Sequence, residues 1–187
     1  RGPPGKHYQS TTRSHRENSE VSRLDSAIRR LEAQRACLNR AAAMIKDVPG
    51  IVLKLGLGNG RTYGHLKELL PDRRIVVFER KAMAHPDSMP PVENLIEGDF
   101  RETIPGIAAK LGEQAALIHG DIGSGDRAYT LALAEWLGPM LRPLAAPGCM
   151  VVSDQRLTLA SSDVFPIPGM VAVGRYHMLR LQSCSDA

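Results

Sequence analysis

Three glycines at alternate positions, Gly56, Gly58 and Gly60, follow the apolar segment IVLKL and precede a polar stretch. Glycine adopts backbone conformations that are closed to other residues, and it lets a ligand approach the main chain closely. A glycine turn between a strand and a helix also directs helix N–H groups at the ligand. Residues 51–62 therefore predict a turn that faces a nucleotide-like ligand.

The spacing of the glycines distinguishes between nucleotide ligands. The dinucleotide fingerprint G-x-G-x-x-G accommodates Gly56 and Gly58, but it places its third glycine at Arg61, and Gly60 comes one residue too early. The Gly-Lys-Ser/Thr of a phosphate-binding P-loop is missing from this stretch. An NAD(P)-linked oxidoreductase, with Arg80 near a 2′-phosphate, is the first alternative function.

Acidic residues follow three further apolar runs. Glu79 ends IVVFE, nineteen residues beyond Gly60, where a carboxylate can accept hydrogen bonds from both ribose hydroxyls. Asp99 and Phe100 end the run ENLIEGDF, and Asp121 follows AALIHG. Asp99 could equally cap a helix, and the two roles are compatible.

The pattern along the chain favours an α/β fold. Short apolar runs alternate with helical segments, which is typical of a parallel sheet covered on both faces. We expect a three-layer α/β domain with a mostly parallel sheet of about six or seven strands, the last antiparallel. A long N-terminal helix over residues 20–46, with Ser22 and Asp25 as start signals, precedes it. Residues 1–18 are predicted to be a flexible extension, and 19–187 one domain.

Three local expectations concern the second half of the chain. Residues 101–112 are predicted to form one helix that Gly112 stops. The proline-rich stretch 160–169 is predicted to be a connector that replaces a helix between the last strands. Residues 169–182 are predicted to form a final strand or hairpin, with Gly174 as a bulge or turn.

Taken together, these motifs resemble the class I, Rossmann-like S-adenosylmethionine-dependent methyltransferases. The turn G-x-G-x-G resembles motif I of that family, EGDF resembles its adenine-binding segment, and IHGDIGSGD lies where its motif IV lies. From about Ser22 to Gln182, the chain is similar to a small family of short bacterial methyltransferases. The resemblance implies methyl transfer from S-adenosyl-L-methionine, which would be the cofactor.

The resemblance also implies roles for individual residues. The glycine turn would admit the cofactor, Glu79 would hold the ribose, and Asp99 with Phe100 would hold the adenine. Asp121 is the candidate catalytic residue, although a structural role in turning its loop is equally compatible with its position. The full set of expected cofactor-binding residues is Gly56, Leu57, Gly58, Asn59, Gly60, Thr62, Tyr63, Glu79, Arg80, Gly98, Asp99, Phe100 and Asp121.

Lys54 departs from the family pattern, in which the residue two before the first glycine is usually acidic. A lysine in a buried strand is costly unless it is paired. We expect it to reach Asp121, Asp154 or the carboxylate of the cofactor's methionine moiety.

A general base is needed only if the acceptor must lose a proton during transfer. Besides Asp121, the candidates are Asp126, Asp154 and His119, and His119 is also compatible with a hydrogen-bonded core residue. Cys149 has no companion base in the sequence and is not expected to act as a nucleophile.

Charge and composition limit the partners. Residues 1–46 carry ten Lys/Arg against four Asp/Glu, whereas the remainder carries fourteen against sixteen, so the basic excess lies in the N-terminal segment. A solvated helix face explains this basic excess. The second alternative function is a non-catalytic module whose basic helix docks nucleic acid, but the sequence has no aromatic platform that would support it. We expect a cytoplasmic protein with a small-molecule acceptor, no metal site and no membrane contact. The N-terminal helix is expected either to close over the pocket or to pack against a second subunit in a homodimer.

Overall fold

The computed structural model describes Gly2 and residues 22–182. Apart from Gly2, the predicted extension 1–18 lies outside the described residues, and so does Cys184. None of the described helices is both long enough and apolar enough to cross a membrane.

One sheet organises the described part of the chain. Its seven strands lie in the order β3-β2-β1-β4-β5-β7-β6. The first five are parallel, and β7 pairs antiparallel with both β5 and β6, as the sequence predicts for the last strands. The strands are β1 Ile51–Leu55, β2 Ile75–Glu79, β3 Leu95–Glu97, β4 Ala115–Gly120, β5 Ala145–Ser153, β6 Ser162–Val164 and β7 His177–Leu181.

Helices cover both faces of the sheet. They are α1 Arg23–Met44, α2 Arg61–Leu69, α3 Phe100–Thr103, α4 Ala108–Leu111 and α5 Arg127–Leu141. Because side chains alternate along a strand, Leu53 of β1 packs with the α5 side while Val52 packs with the α1 side. The three-layer, Rossmann-like fold predicted from the sequence is confirmed.

The start of α1 follows its sequence signals. Ser22 caps the helix, because its Oγ accepts a hydrogen bond from the Asp25 backbone N–H at 3.0 Å and donates one to the Asp25 carboxylate at 2.7 Å. Its buried face, which includes Ala33, Cys37 and Leu38, lies on the sheet. The helix ends at Met44, two residues before the predicted end.

Three local predictions are only partly right. The helix expected over 101–112 is split into the single turns α3 and α4, because Pro105 and Gly106, with φ of 73°, interrupt it. The predicted connector contains the edge strand β6. Over 169–182 the predicted final strand is present as β7, and so is the expected turn at Gly174, with φ of 80°, but residues 169–176 form turns rather than a strand.

A polar cluster lies in the core beneath α1. Lys54 is fully buried on β1, and its Nζ lies 3.4 Å from Nδ1 of His119, the neighbouring residue on β4. Nε2 of His119 lies 3.0 Å from Oη of Tyr176. A protonated Lys54 can only donate, so Nδ1 accepts and Nε2 carries the hydrogen that bonds Tyr176. Direct pairing of Lys54 with Asp121 or Asp154 was a wrong expectation: no described carboxylate oxygen lies within 4.0 Å of it.

Burial lowers the pKa of Lys54 to about 8, against the opposing effect of the carboxylates of Asp121, Glu79 and Asp154. Burial and the neighbouring Lys54 charge also lower the pKa of His119 well below its usual value. Between pH 8 and the lysine's ordinary pKa of 10.5, the unfolded chain binds more protons at Lys54 than the folded chain does. The contribution of Lys54 to the free energy of unfolding therefore rises with pH across that window.

We expect the substitution Lys54→Met to change the free energy of unfolding, relative to the wild type, more favourably at pH 7 than at pH 10. Relative to the wild type, its advantage in free energy of unfolding should shrink by about 2 to 3 kcal/mol over that range. Urea denaturation at intervals of one pH unit measures the difference. A pH-independent difference for Lys54→Met would contradict the prediction.

A second prediction concerns Gly138 of α5, whose missing side chain admits the backbone of Thr158. Glycine normally weakens a helix by about 1 kcal/mol relative to alanine. At Gly138, however, a Cβ would collide with the Thr158 carbonyl, so Gly138→Ala should destabilise by about 1 to 3 kcal/mol. Gly64→Ala in α2, where a Cβ meets nothing within 4 Å, should instead stabilise the fold. Thermal melting of both variants checks this contrast, and a stabilising Gly138→Ala would refute the close approach.

Candidate functional site

The glycine turn lies at the carboxyl end of β1, and all three of its glycines are left-handed. Their φ values are 82° at Gly56, 55° at Gly58 and 80° at Gly60. A Cβ at Gly56 would collide with the carbonyl oxygen of Asp121, and one at Gly60 would collide with Ser88. A Cβ at Gly58 would meet nothing within 4 Å, so the space beside its backbone is open to a ligand.

Glu79 fixes the shape of this turn. Its Oε2 accepts hydrogen bonds from the backbone N–H groups of Leu57, at 2.6 Å, and of Gly58, at 3.2 Å. β1 and β2 are adjacent and end at the same level, since Leu55 pairs with Phe78. The last residue of β2 therefore reaches the turn that leaves β1.

A cavity of about 400 Å³ opens above the turn. That volume is typical of small-molecule and cofactor sites. It brings together most of the residues predicted from the sequence: Gly56, Leu57, Gly58, Asn59, Thr62, Glu79, Arg80, Gly98, Phe100 and Asp121 all line it.

Three predicted residues do not line the cavity. Gly60 precedes α2 and makes room for Ser88. Tyr63 is 3% exposed and packs in the core between the sheet and the helices α1 and α2, so it does not cover the cavity. Asp99 caps α3, accepting from the Arg101 backbone N–H at 2.9 Å, which is the competing role that the sequence allowed.

Arg80 and Tyr129 close the end of the cavity near β3. An Nη atom of Arg80 donates to Oδ2 of Asp99 at 3.0 Å and to Oη of Tyr129 at 2.6 Å. The backbone hydrogen bond from Arg101, together with Arg80, lowers the pKa of Asp99. Phe100 and Tyr129 line this end of the cavity, which therefore offers aromatic surfaces to a flat ring.

The opposite end of the cavity is formed by Asp121 and α1. Gln34, which is 2% exposed, donates from Nε2 to Oδ2 of Asp121 at 3.0 Å. Arg30, Leu31 and Gln34 of α1 all line the cavity. The N-terminal helix thus closes over the pocket, which is one of the two arrangements expected from the sequence.

The other candidate bases differ in accessibility. His119 is fully buried in the core, and Asp126 caps α5 through the Tyr129 backbone N–H. Asp154 accepts from the backbone N–H groups of Ile122 and Gly123 at 3.0 and 2.8 Å, and burial raises its pKa. Asp121 is therefore the candidate base that lines the cavity. Cys149 is fully buried, and burial raises the pKa of its thiol to about 12.

Several lining residues were not predicted. They are Arg30, Leu31, Gln34, Arg61, Ile122, Gly123, Ser124, Tyr129 and Leu133. Three of them, Ile122, Gly123 and Ser124, lie in the segment IHGDIGSGD, which the resemblance places at motif IV of the family. The spacing of Arg30, Leu31 and Gln34 on one face of α1 was a usable signal, since residues three and four apart share a helix face. Among the described residues, no group of three or more His, Cys, Asp and Glu side chains could hold a metal ion.

Comparison with known proteins identifies the family of this chain. Residues 21–181 match the model of a family described as S-adenosyl-L-methionine methyltransferase. The crystal structure of an S-adenosyl-L-methionine methyl transferase from Silicibacter pomeroyi DSS-3 is 42% identical, with a TM-score of 0.81, over 86% of this chain and 99% of that one. No curated protein matches the sequence.

A more distant structure shares the fold alone. Cofactor-bound Rv0187 from MTB is 14% identical, with a TM-score of 0.50, over 84% of this chain and 90% of that one. The family match covers nearly all the described residues, including the glycine turn and the strand ends around the cavity. The chain belongs to the S-adenosyl-L-methionine-dependent methyltransferases.

Proposed function

We propose that this methyltransferase acts on a small-molecule acceptor, with Asp121 beside the reacting groups and Glu79 at the cofactor ribose. The observation that carries these residue roles is the placement of both carboxylates in the wall of one cavity, at the ends of β2 and β4. Because α1 forms one wall of the cavity, the acceptor would enter a cleft rather than meet a broad surface.

The residues present fit S-adenosyl-L-methionine. The open space at Gly58 admits a ligand to the backbone, and Glu79 offers a carboxylate to vicinal hydroxyls. Phe100 and Tyr129 offer aromatic surfaces for the adenine, at the end of the cavity away from Asp121. When bound, the cofactor supplies a methyl group carried on a cationic sulfur.

The protein's part in the reaction is to position and desolvate the reactants, since methyl transfer is an in-line displacement. Gln34 holds one oxygen of Asp121 and so fixes the orientation of the carboxylate. The other oxygen, Oδ1, is the group we assign to take a proton from an acceptor hydroxyl or amine that must lose one. The carboxylate also stabilises positive charge at this end of the cavity.

The remaining features belong to the same proposal. We place the protein in the cytoplasm because the two described cysteines, Cys37 and Cys149, are buried free thiols. Although α1 lines the cavity, Leu24 and Ile28 near its start lie one turn apart and are 69% and 44% exposed, which supports self-association through that part of the helix. We propose no nucleic-acid or membrane partner.

Glu79 gives the sharpest test of cofactor binding. We expect Glu79→Gln to weaken the affinity for S-adenosylhomocysteine by about 10- to 100-fold, because a charge-assisted acceptor is worth about 1.5 to 3 kcal/mol. Isothermal titration calorimetry measures it. Glu97→Gln is the matched control, because Glu97 pairs with Glu79 in the sheet register but does not line the cavity.

The same titration with NADH and NADPH decides the oxidoreductase alternative. Arg61 lines the cavity at the position where a dinucleotide fold needs its third glycine, so we expect neither dinucleotide to bind. Binding of NADH with an affinity equal to that of S-adenosylhomocysteine would overturn the residue assignments.

Asp121 is tested by comparing a cationic ligand with a neutral one. S-adenosylmethionine carries a sulfonium charge that S-adenosylhomocysteine lacks, so Asp121→Asn should lower the ratio of their affinities about fivefold, which is about 1 kcal/mol. Asp126→Asn in the same loop keeps a helix-capping side chain and should leave the ratio unchanged. An unchanged ratio in Asp121→Asn would show that this carboxylate lies away from the sulfur.

A further inference from the structure

A second cavity, of about 460 Å³, adjoins the first at the end near Asp121. It is lined by Arg30 of α1, by Asp154 and Gln155 after β5, and by the turn 172–175. Arg30 lines both cavities. Because β5 is the neighbour of β4 in the sheet, the second cavity continues along the same edge, past Asp121.

The charges around the second cavity are predominantly positive. Arg30 and Arg175 both line it, and neither takes part in any ion pair within 4.0 Å among the described side chains. The one carboxylate in its wall, that of Asp154, already accepts from Ile122 N, Gly123 N and Gln155 Nε2. Asp154 keeps its charge but pairs with neither arginine within 4.0 Å, so two cations face one carboxylate in this wall.

Two guanidinium groups without carboxylate partners suit an anionic ligand. Each guanidinium presents a planar fork of N–H donors that matches the two oxygens of a carboxylate or a phosphate. Neither arginine is buried, so water supplies the acceptors in the free protein, and an anionic ligand would bind by displacing that water. Asp121 lies in the adjoining cavity wall, on the side from which a methyl group would be delivered.

We propose that the acceptor carries an anionic group, a carboxylate or a phosphoryl group, that Arg30 and Arg175 bind in the second cavity. The nucleophilic atom of the acceptor then extends toward Asp121, past the shared residue Arg30. This inference rests on the proposed function and adds the chemical class of the acceptor to it.

Anion binding tests the proposal without turnover. Inorganic phosphate and acetate are titrated separately into the protein saturated with S-adenosylhomocysteine, at constant ionic strength set by chloride. Binding is followed by the NMR shifts of backbone amides and arginine Nε–H groups. We expect Arg30→Gln and Arg175→Gln each to weaken anion binding about fivefold. Lys110→Gln, which removes an exposed cation from α4 just before β4, should leave it unchanged.

The outcomes separate the acceptor classes and the two proposals. Tighter binding of phosphate supports a phosphoryl group, and tighter binding of acetate supports a carboxylate. The proposal is overturned if neither anion binds the wild-type protein, or if Lys110→Gln weakens binding as much as the arginine variants do. Arg175 does not line the first cavity, so Arg175→Gln should retain S-adenosylhomocysteine binding. Failure of the wild type to bind S-adenosylhomocysteine refutes the proposed function instead. In that case, titration of phosphate and acetate into the free protein still shows whether Arg30 and Arg175 bind an anion.

Discussion

The hydrogen bonds from Leu57 N–H and Gly58 N–H to the Glu79 carboxylate are the contacts on which the site depends. In this turn the N–H groups of Gly56 and Gly60 bond to backbone carbonyls, whereas those of Leu57 and Gly58 have Glu79 as their acceptor, and a buried donor such as Leu57 N–H is costly without one. Glu79 supplies the acceptor because β2 lies beside β1 and ends level with it. One carboxylate therefore holds the turn open and also faces the cavity.

The N-terminal helix is the second constraint. It buries an apolar face on the sheet, and from the same face it places Gln34 against Asp121. A helix that contributed only to the core would not need a buried amide there, because an apolar side chain of similar size would pack without a hydrogen-bonding requirement. The amide orients a cavity carboxylate, so α1 completes the pocket as well as the fold.

The sequence was sufficient for the parallel strands of the sheet and for the residues at their ends. Parallel strands place their carboxyl ends on one edge, so Glu79 and Asp121 could be brought together from strand assignments alone. Tyr63 was misplaced because the direction of a side chain in the first turn of a helix depends on how that helix packs. Arg175 could not be found, because it precedes an antiparallel strand, and the order in which β7 joins the sheet is not encoded in local periodicity.

Lys54 is explained by the charges above it rather than by a single partner. Glu79 ends β2 on one side of β1, and Asp121 and Asp154 follow β4 and β5 on the other, so three carboxylates repel one another along one edge of the sheet. All three raise the pKa of Lys54 against the larger effect of burial, so a positive charge on this lysine stabilises each of them in return. The usual acidic residue at this position would add a fourth negative charge to the edge. The positive charge of Lys54 thus offsets the negative charge of the carboxylates above it. Burying that charge costs stability.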